Sequence, residues 1–319
     1  MQTGKISEIA YKRSVLKKIN NKTESIEVGI DCATVELEDV TLVMSSNCIF
    51  KWFKGCEDYY IGKAINALCE QNAKPKYLKV DINIPADFEE KQLGKVIKKI
   101  NDSSEKRQLD IKQCRVYVSN VENIIANITI IGYSRERHAR KNIKENMHVV
   151  MAGTAGIGAT YIMSILRKEE LLKKFSPTFV NNCIKTGEYL DVAKMTEIAF
   201  ASDAVAVHAV SDGGVFGALW ELASSVNLGI EADIKKIPVW QEAIEVAEVF
   251  NYNPYLVDGS GAILIVTEKP EKTVEYLNDS GIYATDVAVL TKSNDRVIIN
   301  GEEKRYLEPP KGDIIYNLL

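Results

Sequence analysis

The stretch YLKVDINIP (residues 77–85) alternates strictly, with Leu78, Val80, Ile82 and Ile84 on one side and Lys79, Asp81 and Asn83 on the other. A period of two predicts a half-buried β-strand, ended by Pro85. On either side the period becomes that of a helix. In CEDYYIGKAINALCEQNAKP (56–75), Tyr60, Ile61, Ala64, Ile65 and Leu68 recur at helical spacing, and Asn72 and Pro75 are stop signals. FEEKQLGKVIKKI (88–100) sets Leu93, Val96, Ile97 and Ile100 on one helical face, and CRVYV (114–118) and ENIIANITIIGY (122–133) return to β patterns. Helices interleaved with alternating strands predict one sheet covered on one face, in an α+β or α/β arrangement.

The basic run SRERHARKNIKEN (134–146) breaks this pattern. Such a run can bind phosphate or nucleic acid, but it also serves as a solvated connector between domains. The domain boundary is placed there, giving domains of 1–136 and 137–319.

The second half opens with MHVVMAGTAGIGATYIMSILRKEELLKKF (147–175), a strand, a glycine-rich turn and a helix. That setting can cradle phosphate on backbone N–H groups. However, Gly153, Gly156 and Gly158 are spaced GxxGxG and no GK[ST] follows, so a tight turn for close packing is the better expectation. In VAVHAVSDGGVFGALWELASSVNLGIEAD (205–233), Val215, Leu219, Leu222, Ala223 and Val226 form a helical stripe. Ser211 and Asp212 are the expected N-caps, and Gly229 the C-terminal stop. Gly213 and Gly214 would let a backbone or a phosphate come close to the helix start. The tail reads strand, helix, strand, strand, with a hairpin expected at Ser293–Asp295.

Composition narrows the class. A chain of 319 residues exceeds what one core usually fills, so two domains are expected. With 46% apolar and 26% charged residues and a formal charge of −4, it reads as an ordinary globular protein with no general attraction to nucleic acid or an anionic membrane. No apolar run approaches the ~20 residues needed to span a bilayer. The N-terminus mixes charges through its apolar positions, unlike a signal peptide, so a cytoplasmic location is expected. Six cysteines without a CxxC pair read as reduced, mostly buried thiols rather than a zinc site. The 3 histidines are scattered and define no catalytic triad.

These blocks, in this order, resemble the aminoimidazole ribonucleotide (AIR) synthase superfamily, especially its hydrogenase expression/formation E-type branch. IGKAINALCEQNAKPKYL (61–78) looks like that family's helix of the AVNDLAVMGAKPLYL type. HAVSDGGVFGALWELASSVNLGIEAD (208–233) looks like its HDPTxGGLxxALNEIAxASxVGIEID block, and VVMAGTAGIGA and YLVDGSGAILIV match two further landmarks. The resemblance implies a two-domain α+β chain. Its N-domain sheet would pair into a β-barrel across a homodimer, and its C-terminal domain would be an α/β sandwich. It also implies ATP and magnesium, bound by acidic residues at the N-domain edge, for ATP-dependent activation of a carbonyl-type oxygen.

The acidic positions are where this chain departs. The family's GDDAA turn falls on Gly29-Ile30-Asp31-Cys32-Ala33, leaving Asp31 as the one aspartate. Its TD pair falls near Ser46-Asn47, its ND pair on Asn66-Ala67, and its GDT turn on Ser119-Asn120-Val121. The HDPT block reads His208-Ala209-Val210-Ser211, again without the aspartate. The nucleotide-site remnant implied by the resemblance is therefore Asp31, Asn47, Asn66, Asn120, Ser211, Gly213 and Gly214, with Asp31 as a weak metal candidate. Asparagine can offer a carbonyl oxygen but brings no charge to offset the ion's desolvation. The chain also ends DIIYNLL, without the C-terminal cysteine on which the maturation branch carries its substrate group. Three readings stand: a non-catalytic homodimer whose cleft holds a ligand or partner protein, an active ATP-dependent enzyme, and a structural or interaction module unrelated to the superfamily's chemistry, which the retained Asp31, Asn66, Gly213 and Gly214 disfavour.

Overall fold

The computed structural model describes residues 4–20, 29–135 and 142–318. In chain order its elements are α1 (Glu8–Tyr11), β1 (Ala33–Glu36), β2 (Thr41–Ile49), α2 (Cys56–Cys69), β3 (Lys74–Ile84), α3 (Glu90–Lys106), β4 (Asp110–Val118) and β5 (Ile125–Ser134). Then come β6 (His148–Ala152), α4 (Ile157–Leu166), α5 (Lys168–Leu172), α6 (Pro177–Lys185), α7 (Ala193–Ala201), β7 (Ala206–Ala209) and α8 (Gly214–Ser225). The chain closes with β8 (Gly229–Asp233), α9 (Gln241–Val249), β9 (Ile263–Thr267), α10 (Pro270–Asp279), β10 (Ala284–Thr291), β11 (Arg296–Asn300), β12 (Glu303–Tyr306) and α11 (Ile315–Leu318). No helix among these residues is long and apolar enough to cross a membrane.

The chain forms two compact units, of 31–135 and of 4–30 together with 142–318 in their described parts. The boundary expected between 136 and 137 falls on residues outside the described ones, as do residues 136–141 of the basic run. Residues 4–20, with Gly29 and Ile30, group with the C-terminal unit rather than with the five-stranded one. The physical reason is contacts such as Lys5–Glu221 and Glu8–Trp220, more than 200 residues apart in sequence.

The smaller unit is an open five-stranded sheet in the order β1-β2-β5-β3-β4. Strand β3 pairs β4 in parallel and β5 antiparallel. Its alternation is as read: Leu78, Val80, Ile82 and Ile84 are buried. They lie on the face covered by α2 and α3 of the same chain. Gly132 of β5 belongs to that face, where a Cβ would lie 2.9 Å from Leu68 of α2. The uncovered face carries the Lys79–Asp81 ion pair and a 2.8 Å hydrogen bond between the hydroxyls of Ser46 and Thr129.

The larger unit is a seven-stranded sheet in the order β12-β11-β8-β10-β6-β9-β7. Val149, Met151, Leu264, Val266, Ile230 and Leu290 share one face, and Val215, Leu219 and Leu222 of α8 close over it. Helices α7 and α10 pack from the other side. The hairpin expected at Ser293–Asp295 does not form, because β8 inserts between β10 and β11 and pairs with both. The hairpin is instead β11–β12, turning at Gly301 with φ +64°. Helix α8 is likewise not capped by Ser211 or Asp212. Its N-cap is Gly213 in the left-handed region, with no side-chain cap bond. Asn227, at φ 54°, rather than Gly229, follows its end.

The GxxGxG turn is a packing device, as expected. Gly153 has φ +88° and approaches the Gly261 carbonyl, and a Cβ on Gly158 would lie 2.1 Å from Asp258 Oδ1.

Candidate functional site

Within the smaller unit, the four remnant positions lie on different elements of the sheet and its covering helix. The Asp31 carbonyl accepts a 3.2 Å hydrogen bond from Ser45 Oγ of β2. Asn47 is two residues further along that strand and half-buried. Asn66 is buried on α2, which packs on β2. Asn120 is exposed beyond β4, the opposite edge of the sheet from β1. Three strand spacings, roughly 14 Å, separate β2 from β4, whereas magnesium holds its ligands at about 2.1 Å. Among the described residues, no group of three or more His, Cys, Asp or Glu side chains is placed to hold a metal ion.

The larger unit holds the cavity, of about 340 Å³. Four short stretches build it. The N-terminal segment contributes Lys5, Glu8 and Tyr11, and Gly29 with Ile30 forms a second wall. The α8 entry turn adds Asp212 and Gly213, with Glu221 from within the helix, and the C-terminal segment adds Pro310, Lys311 and Asp313. Sequence order hides this assembly, but local chemistry explains each part. Gly213 (φ +82°) and Gly214 (φ +64°) adopt conformations that residues with a Cβ rarely take. A side chain at Gly214 would drive its Cβ to 2.6 Å from the carbonyls of Tyr255 and Val257, so this glycine serves packing. At Gly213 the nearest atom to such a Cβ is 3.5 Å away, on Pro310.

The cavity wall is acidic and well connected. Asp313 is 2% exposed. Its Oδ2 accepts from the Gly213 N–H at 2.8 Å and its Oδ1 from the Ile315 N–H at 2.9 Å. Burial, then the charges of Asp212 and Asp258, push its carboxyl up to about 7, although the two N–H groups pull the other way. Asp212 accepts hydrogen bonds from the Tyr316 hydroxyl at 3.0 and 3.2 Å. Glu221 Oε1 pairs with Lys5 at 2.9 Å, and its Oε2 lies 3.5 Å from Nε2 of the fully buried His208. Glu8 accepts from Trp220 Nε1 at 2.7 Å, and the Arg296 guanidinium stands 4.4 Å over the Trp220 ring.

Of the residues singled out in sequence, Asp212 and Gly213 border this cavity, joined by Gly29 and Ile30 of the GDDAA-like turn. Ser211 supports the turn through its carbonyl, which accepts from the N–H groups of Gly214 (3.0 Å) and Gly259 (3.2 Å). Lys5, Glu8, Glu221 and Asp313 escaped the sequence reading. Only the lone aspartate of KGDII, acidic in an otherwise apolar C-terminal stretch, offered a signal.

Residues 144–300 match the family described as AIR synthase related protein, C-terminal domain. A Methanocaldococcus jannaschii protein named for hydrogenase expression and formation is 26% identical, over 98% of this chain and 96% of its own. Two solved structures share the fold at 18% identity and a TM-score of 0.75. The HypE–HypF complex chain covers 94% of this chain and 100% of its own, and AaThiL, complexed with AMPPCP and TMP, 96% of each.

Proposed function

Because the chain belongs to the AIR synthase superfamily, we propose that it is a hydrogenase-maturation-factor-like protein with a degraded magnesium–ATP site. The cavity at the start of α8 then serves to bind a small ligand or a partner protein. One observation carries this reading. Ile30, which falls where the resemblance places a family aspartate, lines the cavity together with Gly213. The donor set elsewhere agrees: Asn47, Ala67 and Asn120 supply two neutral amides and a methyl group where the family carries carboxylates. Such a set does not fit magnesium, which commonly takes one or two protein carboxylates together with phosphate oxygens. No phosphoryl step is therefore derived for this chain.

The assembly proposed with it is a cytoplasmic homodimer joined through the uncovered face of the five-stranded sheet, where Tyr117 and Tyr133 are exposed. Light scattering at micromolar concentration should give twice the chain mass. A monomer mass would refute that part alone.

The second reading, an ATP-dependent enzyme, draws on the likeness to AaThiL, which was solved with AMPPCP. Calorimetry with MgATP, paired with a sensitive phosphate-release assay, separates the two. Weak binding without turnover supports the degraded site. Micromolar affinity lost with EDTA, or turnover abolished by Asp31→Asn, restores the enzyme.

A further inference from the structure

The walls of the cavity are ordered by charge and depth. Its carboxylates lie deep: Asp313 is buried, and the Glu221 and Glu8 side chains are 6% and 13% exposed. Its ammonium groups lie at the mouth, where the Lys5 and Lys311 side chains are 43% and 65% exposed. With Asp212 included, four carboxylates stand against two lysines, a formal charge of −2.

The partners of these groups sharpen the imbalance. Lys5 is engaged by Glu221 and Lys311 by Glu308, while Glu8 is met by Lys12. Asp212 accepts from the Tyr316 hydroxyl, and Asp313 from the Gly213 and Ile315 N–H groups. These donors satisfy hydrogen bonds without bringing a full positive charge, and a carboxylate offers about four acceptor positions. In an enclosed, low-dielectric site a countercharge is worth more than it is in water. The remaining lining is largely apolar, with Ile6, Val15, Ile30 and Pro310 beside Tyr11.

We propose that the cavity takes a small organic cation, an ammonium group on an apolar body, with its charged end beside Asp212 and Asp313 and its body against Ile6, Val15 and Ile30. This deepens the ligand-binding reading above and rests on it. A volume of about 340 Å³ suits a metabolite-sized molecule, because small-molecule pockets begin at about 300 Å³. A bare metal ion suits the site less. Among the described residues no group of three or more His, Cys, Asp or Glu is placed to hold one, and an ion would leave the apolar walls facing water. An anion would meet like charge at depth, with both lysines at the mouth already engaged by carboxylates.

Calorimetry on the full chain with three probes of similar shape tests the assignment: phenethylamine, phenethyl alcohol and hydrocinnamate. The amine should bind about tenfold more tightly than the alcohol, because a charge-assisted hydrogen bond replaces a neutral one, and the carboxylate should bind most weakly. The amine should also shift the amide resonances of Gly213 and Ile30 and leave that of Ile265 in β9 unmoved. In Asp212→Asn the amine should fall to the alcohol's affinity, while the alcohol's own affinity stays the same. Equal binding of the three probes, tightest binding of the carboxylate, or binding of none overturns the proposal, and that ranking needs no variant. An amine that shifts Ile265 but not Gly213, or that keeps its advantage in Asp212→Asn, overturns it as well. Tight MgATP binding would instead refute the degraded-site reading and leave the ranking of the probes standing.

Discussion

A Cβ built on Gly29 would lie 2.7 Å from the carbonyl oxygen of Glu221, so the backbone at Gly29 is seated directly against α8. Gly29 also has φ +77°. Gly29→Ala must therefore both strain the backbone and push the turn off the helix, at a cost of roughly 2–4 kcal/mol. Gly281 has the same φ of +77° but nothing within 4 Å of an added Cβ. Gly281→Ala should cost only the strain, about 1 kcal/mol. Urea unfolding of both variants checks the contrast, and equal losses would mean that the Glu221 contact contributes nothing.

The two glycines at the α8 entry should differ in the same way. Gly214→Val meets two carbonyl oxygens at 2.6 Å and should lower stability by at least ~2 kcal/mol without any ligand present. Gly213→Ala makes only ordinary contacts, at 3.5 Å to Pro310 and 3.6 Å to Gly217, and keeps the N–H that Asp313 accepts, so its cost should stay near 1 kcal/mol. Thermal melts of the two proteins decide this. A Gly214→Val protein that melted like the parent would return that glycine to a ligand-facing role.

In the smaller unit, Asp58 of α2 joins α3 through Ser103 at 2.7 Å and through Arg107 at 2.6 Å. Burial raises the Asp58 carboxyl, but the Ser103 and Arg107 hydrogen bonds outweigh it and hold the group below the ordinary carboxylate value. A depressed value means stability that is present at neutral pH and lost as pH falls below about 4. The side chain is partly exposed, so the contribution is of order 0.5–1 kcal/mol. Asp58→Asn should cost that much at pH 7 and progressively less as pH falls below 3.8, measured by urea titration at each pH.

How much of this was legible in sequence depended on the range of the contacts. The alternation of β3 and the stripe of α8 are local patterns, and both elements formed where the residues placed them. The β10–β11 hairpin failed because strand order depends on a third strand, β8, inserting between two that are neighbours in sequence. The N-cap of α8 failed because the left-handed Gly213 takes the cap position, one residue beyond Asp212, whose carboxylate is taken by Tyr316. The cavity was the least legible feature. Its walls come from residues near 5, 30, 213 and 313, and no spacing rule relates them.

On the reading proposed above, Ile30→Asp restores a carboxylate to a wall already bearing Glu221, Asp212 and Asp313. If the site is merely one residue short of function, magnesium should now bind. If the donor geometry is lost, the new charge finds only repulsion. The second outcome is expected, since among the described residues no acidic cluster is placed for a metal and Asn120 lies across the sheet from β2. Repulsion raises the pKa of an added carboxyl, and a raised carboxyl loses stability as pH increases. Ile30→Asp should therefore melt below the parent by more at pH 8 than at pH 5. Magnesium at millimolar concentration should leave both melting temperatures unchanged. A ligand present at a hundred times its dissociation constant stabilises by about 2.7 kcal/mol, which a melt detects easily. A magnesium-dependent rise of that size in Ile30→Asp, absent from the parent, would show an intact metal site lacking a single carboxylate.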